Sequence, residues 1–129
     1  MEARIEQELR LLRSRWPELK YDAGGRWVFL LGYPLPAGWN RPVTDIVFQI
    51  QVNHPGANPY GFLTPSGLLY NGKVPTNYQD PAPTQPAFSG PWGFFSWSPE
   101  DWQPHADVAA GSNLFTWAQS FTRRFLEGA

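Results

Sequence analysis

Between Glu2 and Trp16 the apolar residues Ile5, Leu9, Leu12 and Trp16 recur at steps of four, three and four, which sets them on one stripe of an α-helix. Proline cannot continue such a helix and drives the residue before it out of helical conformation, so Pro17 stops it after about four turns. A helix with one apolar stripe is not stable alone, so the remaining residues must supply the surface that covers it.

Their patterning predicts strands. Asp22-Ala23-Gly24-Gly25 is a turn signal, and the run Trp27-Val28-Phe29-Leu30-Leu31 suits a buried strand that Pro34 and Pro36 end. From Thr44 to Val52 the residues Ile46, Phe48, Ile50 and Val52 alternate with Asp45, Val47, Gln49 and Gln51, the period of a strand with one face on the core. His54-Pro55-Gly56 and Asn58-Pro59-Tyr60-Gly61 form a loop, and Leu68-Leu69-Tyr70 leads into Asn71-Gly72, a strong hairpin signal. Pro75 to Gly93 carries Pro81, Pro83, Pro86 and Pro91 with almost no hydrophobic period, which predicts a long ordered or semi-ordered loop of the kind that is functional or mobile. Ser112 or Asn113 then caps a second helix with Leu114, Ala118, Phe121 and Phe125 on its stripe and Gly128 at its end. Helices at the two ends and consecutive strands between them define an α+β class, with the helices on one face of an antiparallel meander.

The chain has 129 residues and shows no internal repeat, so residues 1–129 are expected to form a single domain. Seven Trp, five Tyr and nine Phe set against 16% charged residues argue for a compact globule over a disordered tail. A formal net charge of −1 lacks the basic excess that holds nucleic acid or an anionic membrane. Arg4, Arg10, Arg13 and Arg15 lie with Glu2, Glu6, Glu8 and Glu18 in the first segment, a mixture that reads as a solvated helix face. The opening Met1-Glu2-Ala3-Arg4 has no apolar run before its charges, and no stretch approaches a membrane span, so a soluble cytoplasmic protein is expected. The strongest chemical constraint is the absence of cysteine, which excludes disulfides, thiolate metal sites and every mechanism that passes through a thioester.

Several residues invite a chemical reading. Trp92, Phe94, Phe95, Trp97 and Trp102 crowd one short segment; Trp92 and Trp97 are expected in the core, whereas Trp39 and Trp102, flanked by polar or small residues, are candidates for a binding surface. Glu100 and Asp101 are adjacent, which suits a turn or helix start better than convergent acid–base work. His105, Asp107 and His54 match no helical zinc spacing, so no metal and no cofactor is expected. Asn77-Tyr78, after Val74-Pro75-Thr76, reads as a Pro-bounded loop held by a buried Asn amide. Thr76, Tyr78 and Ser89 are its possible oxygen nucleophiles.

Gly32-Tyr33-Pro34-Leu35-Pro36-Ala37-Gly38-Trp39-Asn40, Thr44-Asp45-Ile46-Val47-Phe48-Gln49-Ile50, Pro55-Gly56-Ala57-Asn58-Pro59-Tyr60-Gly61 and the run Trp92 to Trp102, in this order, resemble prokaryotic family E of the ubiquitin-conjugating-enzyme superfamily. The resemblance extends over roughly Trp27 to Gly128. It implies an N-terminal helix, a four-stranded antiparallel meander, a partly extended flap and C-terminal helical structure. Working members of the superfamily carry a ubiquitin-like C-terminus on a cysteine, a step this chain cannot perform. The superfamily's His-Pro-Asn tripeptide is not recognisable either, and His54-Pro55 lies too early to take its role. The implied function is a non-catalytic module that binds a ubiquitin-like β-grasp protein, an activating-enzyme-like protein or a JAMM-type isopeptidase, with Trp39, Tyr78, Trp102 and His105 as the candidate binding residues. The rival expectation is an enzyme using an oxygen nucleophile or acid–base residues in the 75–107 region, and a weaker one is a carbohydrate-binding module built on exposed Trp rings.

Overall fold

The computed structural model describes residues 2–129; Met1 and the side chain of Glu2 lie outside the described residues. Helix α1 runs Glu2–Arg15 and buries Ile5, Leu9 and Leu12, with Trp16 buried just past its end. The Trp16 N–H still donates to the Leu12 carbonyl at 2.8 Å, so the helical bonding stops at the residue before Pro17.

Six strands follow: β1 Lys20–Asp22, β2 Trp27–Pro34, β3 Val43–Gln49, β4 Phe62–Pro65, β5 Tyr78–Gln79 and β6 Trp92–Phe95. A 3-10 turn at Val108–Ala110 precedes helix α2, Leu114–Glu127. All strand pairs are antiparallel, and the class is α+β as the pattern predicts. The sheet has six strands where the resemblance implies four, in the order β1-β2-β3-β4-β6-β5. After β4 the chain lays Tyr78–Gln79 on the outside and returns between them as β6. With Pro75 and Pro81 close on either side, β5 is too short to be anything but an edge.

The Asn71-Gly72 hairpin shrinks to its turn. Both residues have positive φ, 50° and 78°, and Tyr70 and Lys73 exchange N–H···O=C bonds of 2.9 and 3.0 Å, yet the flanks add only a single bridge from Tyr70 to Trp39. Helix α2 begins as expected: the Asn113 side chain accepts from the Thr116 N–H at 2.9 Å, and the Thr116 hydroxyl accepts from the Asn113 N–H at 3.0 Å. Gly128, at φ 74°, ends it.

Both helices pack on one face of the sheet. Phe62 of β4 stacks on Phe121 of α2 with ring centroids 4.2 Å apart, and the Tyr33 hydroxyl of β2 donates to the Ala118 carbonyl at 2.7 Å. The other face is apolar as well: Trp27, Val47, Leu63 and Trp92 form a second cluster beneath Phe29, Ala82, Phe88 and Phe94. Val47 stands in the polar phase of the expected strand and is fully buried, so β3 has core on both sides. That strand ends at Gln49 rather than Val52. Ile50 stays buried by bonding its N–H to the Arg26 carbonyl, whereas Val52 leaves the sheet and is 81% exposed. The Pro-rich segment supplies the cover of the second face through Ala82 and Phe88.

Candidate functional site

The most unusual chemistry in the molecule is a carboxylate with no access to water. Glu8 lies three residues after Ile5 and one before Leu9, on the flank of the buried stripe, and is fully buried; it does not belong to the solvated face that its charged neighbours suggest. Its Oε2 accepts from Arg4 Nε at 2.8 Å and from His54 Nε2 at 2.7 Å, and its Oε1 accepts from the Leu114 N–H at 2.6 Å. The last donor opens α2, where a negative charge is favoured by the unpaired N–H groups of the helix end. For His54 to donate here its Nε2 must carry the proton.

Burial pushes the Glu8 carboxyl up; the hydrogen bond and charge of His54, the Leu114 N–H and Arg4 outweigh it and hold the carboxyl below its ordinary value. A carboxylate and an imidazole at this distance have the make-up of an acid–base pair. Both Glu8 oxygens and the His54 Nε2 are engaged by the protein itself, and the two side chains are buried, so the pair is closed to a substrate. The pair joins α1, the 51–61 loop and the start of α2.

Two of the four candidate binding residues gather over this centre. The Trp102 ring lies 6.1 Å from the His54 ring, and its indole N–H donates to the Pro55 carbonyl at 2.7 Å, leaving it half-buried. The His105 carbonyl accepts from the Arg4 guanidinium, while its exposed imidazole Nδ1 accepts from the Asp107 N–H at 2.9 Å. Asp107 in turn caps the 3-10 turn. Among the described residues no three His, Asp or Glu side chains converge where a metal ion could be held.

Trp39 is not a surface residue. It is 8% exposed, its ring sits at 5.5 Å from Phe125, and its indole N–H donates to the Phe125 carbonyl at 3.0 Å, so the small and polar neighbours in sequence mislead about its burial. Tyr78 stands apart on edge strand β5, half-buried, with its hydroxyl 3.4 Å from Thr64 Oγ1. Burial, together with the Asp80 charge, outweighs the Thr64 hydrogen bond and pushes its phenol above the ordinary value, the wrong direction for a nucleophile. The Thr76 hydroxyl donates to the Ala129 carbonyl at 3.0 Å. The buried Asn amide expected in this loop is absent: Asn77 is exposed, and it serves through a left-handed backbone at φ 56° and a carbonyl that accepts from the Ser96 N–H.

Trp92 is buried in the second cluster, as expected, whereas Trp97 is only half-buried, its indole N–H donating to Ser120 Oγ at 3.1 Å. Glu100 and Asp101 form a bend, not a helix, and line a groove of about 250 Å³ with Trp102, Thr116 and Arg123. Glu100 meets Arg123 at 3.7 Å in solvent, a weak pair.

Three buried groups escaped the sequence reading: Glu8, His54 and Arg124. Arg124 donates to the Gly128 carbonyl at 3.0 Å and the Thr76 carbonyl at 2.7 Å and lies over the Phe95 ring at 4.9 Å. Burial lowers its pKa, and the charge of Glu127 opposes that. The only available signal for Glu8 is its place beside the apolar stripe; Arg124 has a similar one, adjacent to Phe125.

In comparisons with known proteins, no family model, no curated protein and no solved structure matches the chain. No helix among the described residues is long and apolar enough to cross a membrane.

Proposed function

We propose that this chain is a non-catalytic, ubiquitin-conjugating-enzyme-like module of the cytoplasm that binds a ubiquitin-like β-grasp protein, its activating-enzyme-like protein or a JAMM-type isopeptidase. The observation that carries the reading is the pairing of family-like segments, from Gly32 to Asn40 and from Trp92 to Trp102, with a complete lack of cysteine. The Gly38-Trp39-Asn40 turn anchors the end of α2 through Trp39, and the Trp92 segment forms β6 in the sheet. The sole buried acid–base pair among the described residues, Glu8 with His54, works as a structural joint, which also favours binding over chemistry.

The test is an NMR titration of the ¹⁵N-labelled chain with each of the three partner types. Shifts confined to one surface with at least one of them are the expected result. No shifts with any at high concentration would overturn the proposal. An ester-linked adduct, found by mass spectrometry after incubation with activating enzyme, ATP and the ubiquitin-like protein, would replace it with the oxygen-nucleophile enzyme.

A further inference from the structure

The second face of the sheet is incompletely covered. Between Pro83, on the covering loop, and Tyr60 an apolar slot of about 160 Å³ remains, lined by Trp27, Leu63 and Phe94. A second depression, about 320 Å³, shares Gln49 and Tyr60 with the first and carries Arg26 and Val52. Tyr60 is 55% exposed and Val52 is the most exposed large apolar side chain among the described residues, so the two depressions have unpartnered apolar walls.

Arg26 is the only charged residue lining either depression. It makes no ion pair among the described residues; one guanidinium nitrogen donates to the Val52 carbonyl at 3.2 Å, which fixes the head at the rim. Its backbone has φ 61°, a conformation that disfavours any side chain and that the neighbouring Gly24 and Gly25 types would adopt freely. Arginine at this position carries a backbone cost that glycine would not.

We propose that the two depressions together bind an extended acidic-apolar segment of a partner protein. One apolar side chain of the segment enters the slot between Trp27, Leu63 and Phe94, and a carboxylate on a neighbouring residue pairs with Arg26. The planar guanidinium fork matches a carboxylate, and no acidic side chain in the walls repels it, whereas a basic segment meets only the unneutralised cation. An exposed Tyr and a half-buried Arg beside an apolar pocket are of the residue types that dominate binding energy in interfaces. The inference deepens the protein-binding reading above and rests on it for the occupant being a protein segment.

The test uses the full ¹⁵N-labelled chain and two blocked hexapeptides that differ only in their central pair, Leu-Glu against Leu-Lys. The Leu-Glu peptide is expected to shift the amides of Arg26, Trp27, Tyr60 and Gly61, with the Leu-Lys peptide bound about tenfold more weakly or worse. Arg26→Glu should reverse that preference. Arg26→Gly removes the unfavourable backbone, so it should raise the melting temperature while weakening the Leu-Glu peptide about tenfold. Equal shifts from both peptides, shifts from neither, or an unchanged preference in Arg26→Glu would each overturn the inference. Should the peptides behave as expected while no ubiquitin-pathway protein binds, the proposed function fails and the groove stands. Should such a protein bind with neither peptide moving Tyr60, the groove fails and the function stands.

Discussion

Glu8 and His54 lie 46 positions apart in the chain, and their side chains meet at 2.7 Å with neither reaching solvent. The carboxylate is held by three donors from three segments, so its removal leaves a buried imidazole, a buried helix N–H and the Arg4 Nε without their acceptor. Glu8→Ala is expected to destabilise the fold by about 3 kcal/mol, the usual consequence of breaking a buried pair by deleting one partner. Glu8→Gln, which keeps the shape and one acceptor, should cost less. Urea unfolding of both variants checks this; a loss within about 0.5 kcal/mol for Glu8→Ala would mean that the network contributes little.

The same group sets an acid limit. Its folded-state value lies below the ordinary carboxylate value, so the unfolded chain binds the proton more readily. The stabilisation is therefore complete above the unfolded pKa, begins to fade as the pH falls past it, and is lost through the lower folded-state value. Unfolding midpoints measured from neutral pH downward should fall on the acid side less steeply in Glu8→Gln than in the parent chain. Parallel curves would show that other carboxylates carry the acid dependence.

Arg124 is 2% exposed with no carboxylate bonded to it, and it connects the end of α2 to the Thr76 loop by hydrogen bonds to two carbonyls. Arg124→Ala loses both bonds and leaves a cavity over Phe95, for an expected cost of about 3 kcal/mol. Arg124→Lys should recover only part of it, because an ammonium lacks the planar fork that reaches both acceptors. Thermal unfolding of the two variants would distinguish this from a merely space-filling role, in which Lys would serve nearly as well.

Trp39→Phe should cost about 1–2 kcal/mol, since it takes the indole donor from the Phe125 carbonyl near the end of α2 while keeping an aromatic ring in the core. A Trp39-only variant, with the other tryptophans replaced by phenylalanine, should resist acrylamide quenching. Strong quenching in a folded variant would place the ring at the surface after all.

Gly38 has φ 103°, and a β-carbon there would overlap the Tyr70 ring. Gly38→Ala therefore combines backbone strain with a clash and should destabilise the fold by about 2 kcal/mol or more, as read by urea unfolding.

Regular local patterns were legible in the sequence. The stripe of Ile5, Leu9, Leu12 and Trp16, the Asn113 cap and the Gly128 stop each depend on residues within a few positions of one another, and each is found. Relationships between distant segments were not. Trp39 has polar and small neighbours in sequence, yet the contact that buries it comes from Phe125. Val47 shares a strand phase with Asp45 and Gln49, but the cluster over it is brought by a loop with no hydrophobic period. Glu8 sits four residues after Arg4, the spacing of an ordinary surface ion pair, and only the arrival of His54 and α2 makes it a buried centre. The grouping of Trp102 and His105 over that centre, apart from Tyr78 and Trp39, is likewise a property of the packed chain.

Strand β6 follows β5 in the chain but lies inside it, hydrogen-bonded to β4 along Phe62↔Phe95 to Pro65↔Trp92. The interior of the sheet therefore cannot close until the whole excursion after β4 has been made, and the entropy of that closure falls before its pairings form. Refolding is expected on the order of milliseconds to seconds, slow for a chain this short. Until β6 arrives, β4 is a bare apolar edge with Phe62 and Leu63 uncovered, the kind of surface on which a second unfolded chain can pair. The order of strands thus makes the yield of refolded protein sensitive to its concentration, whatever the finished molecule binds.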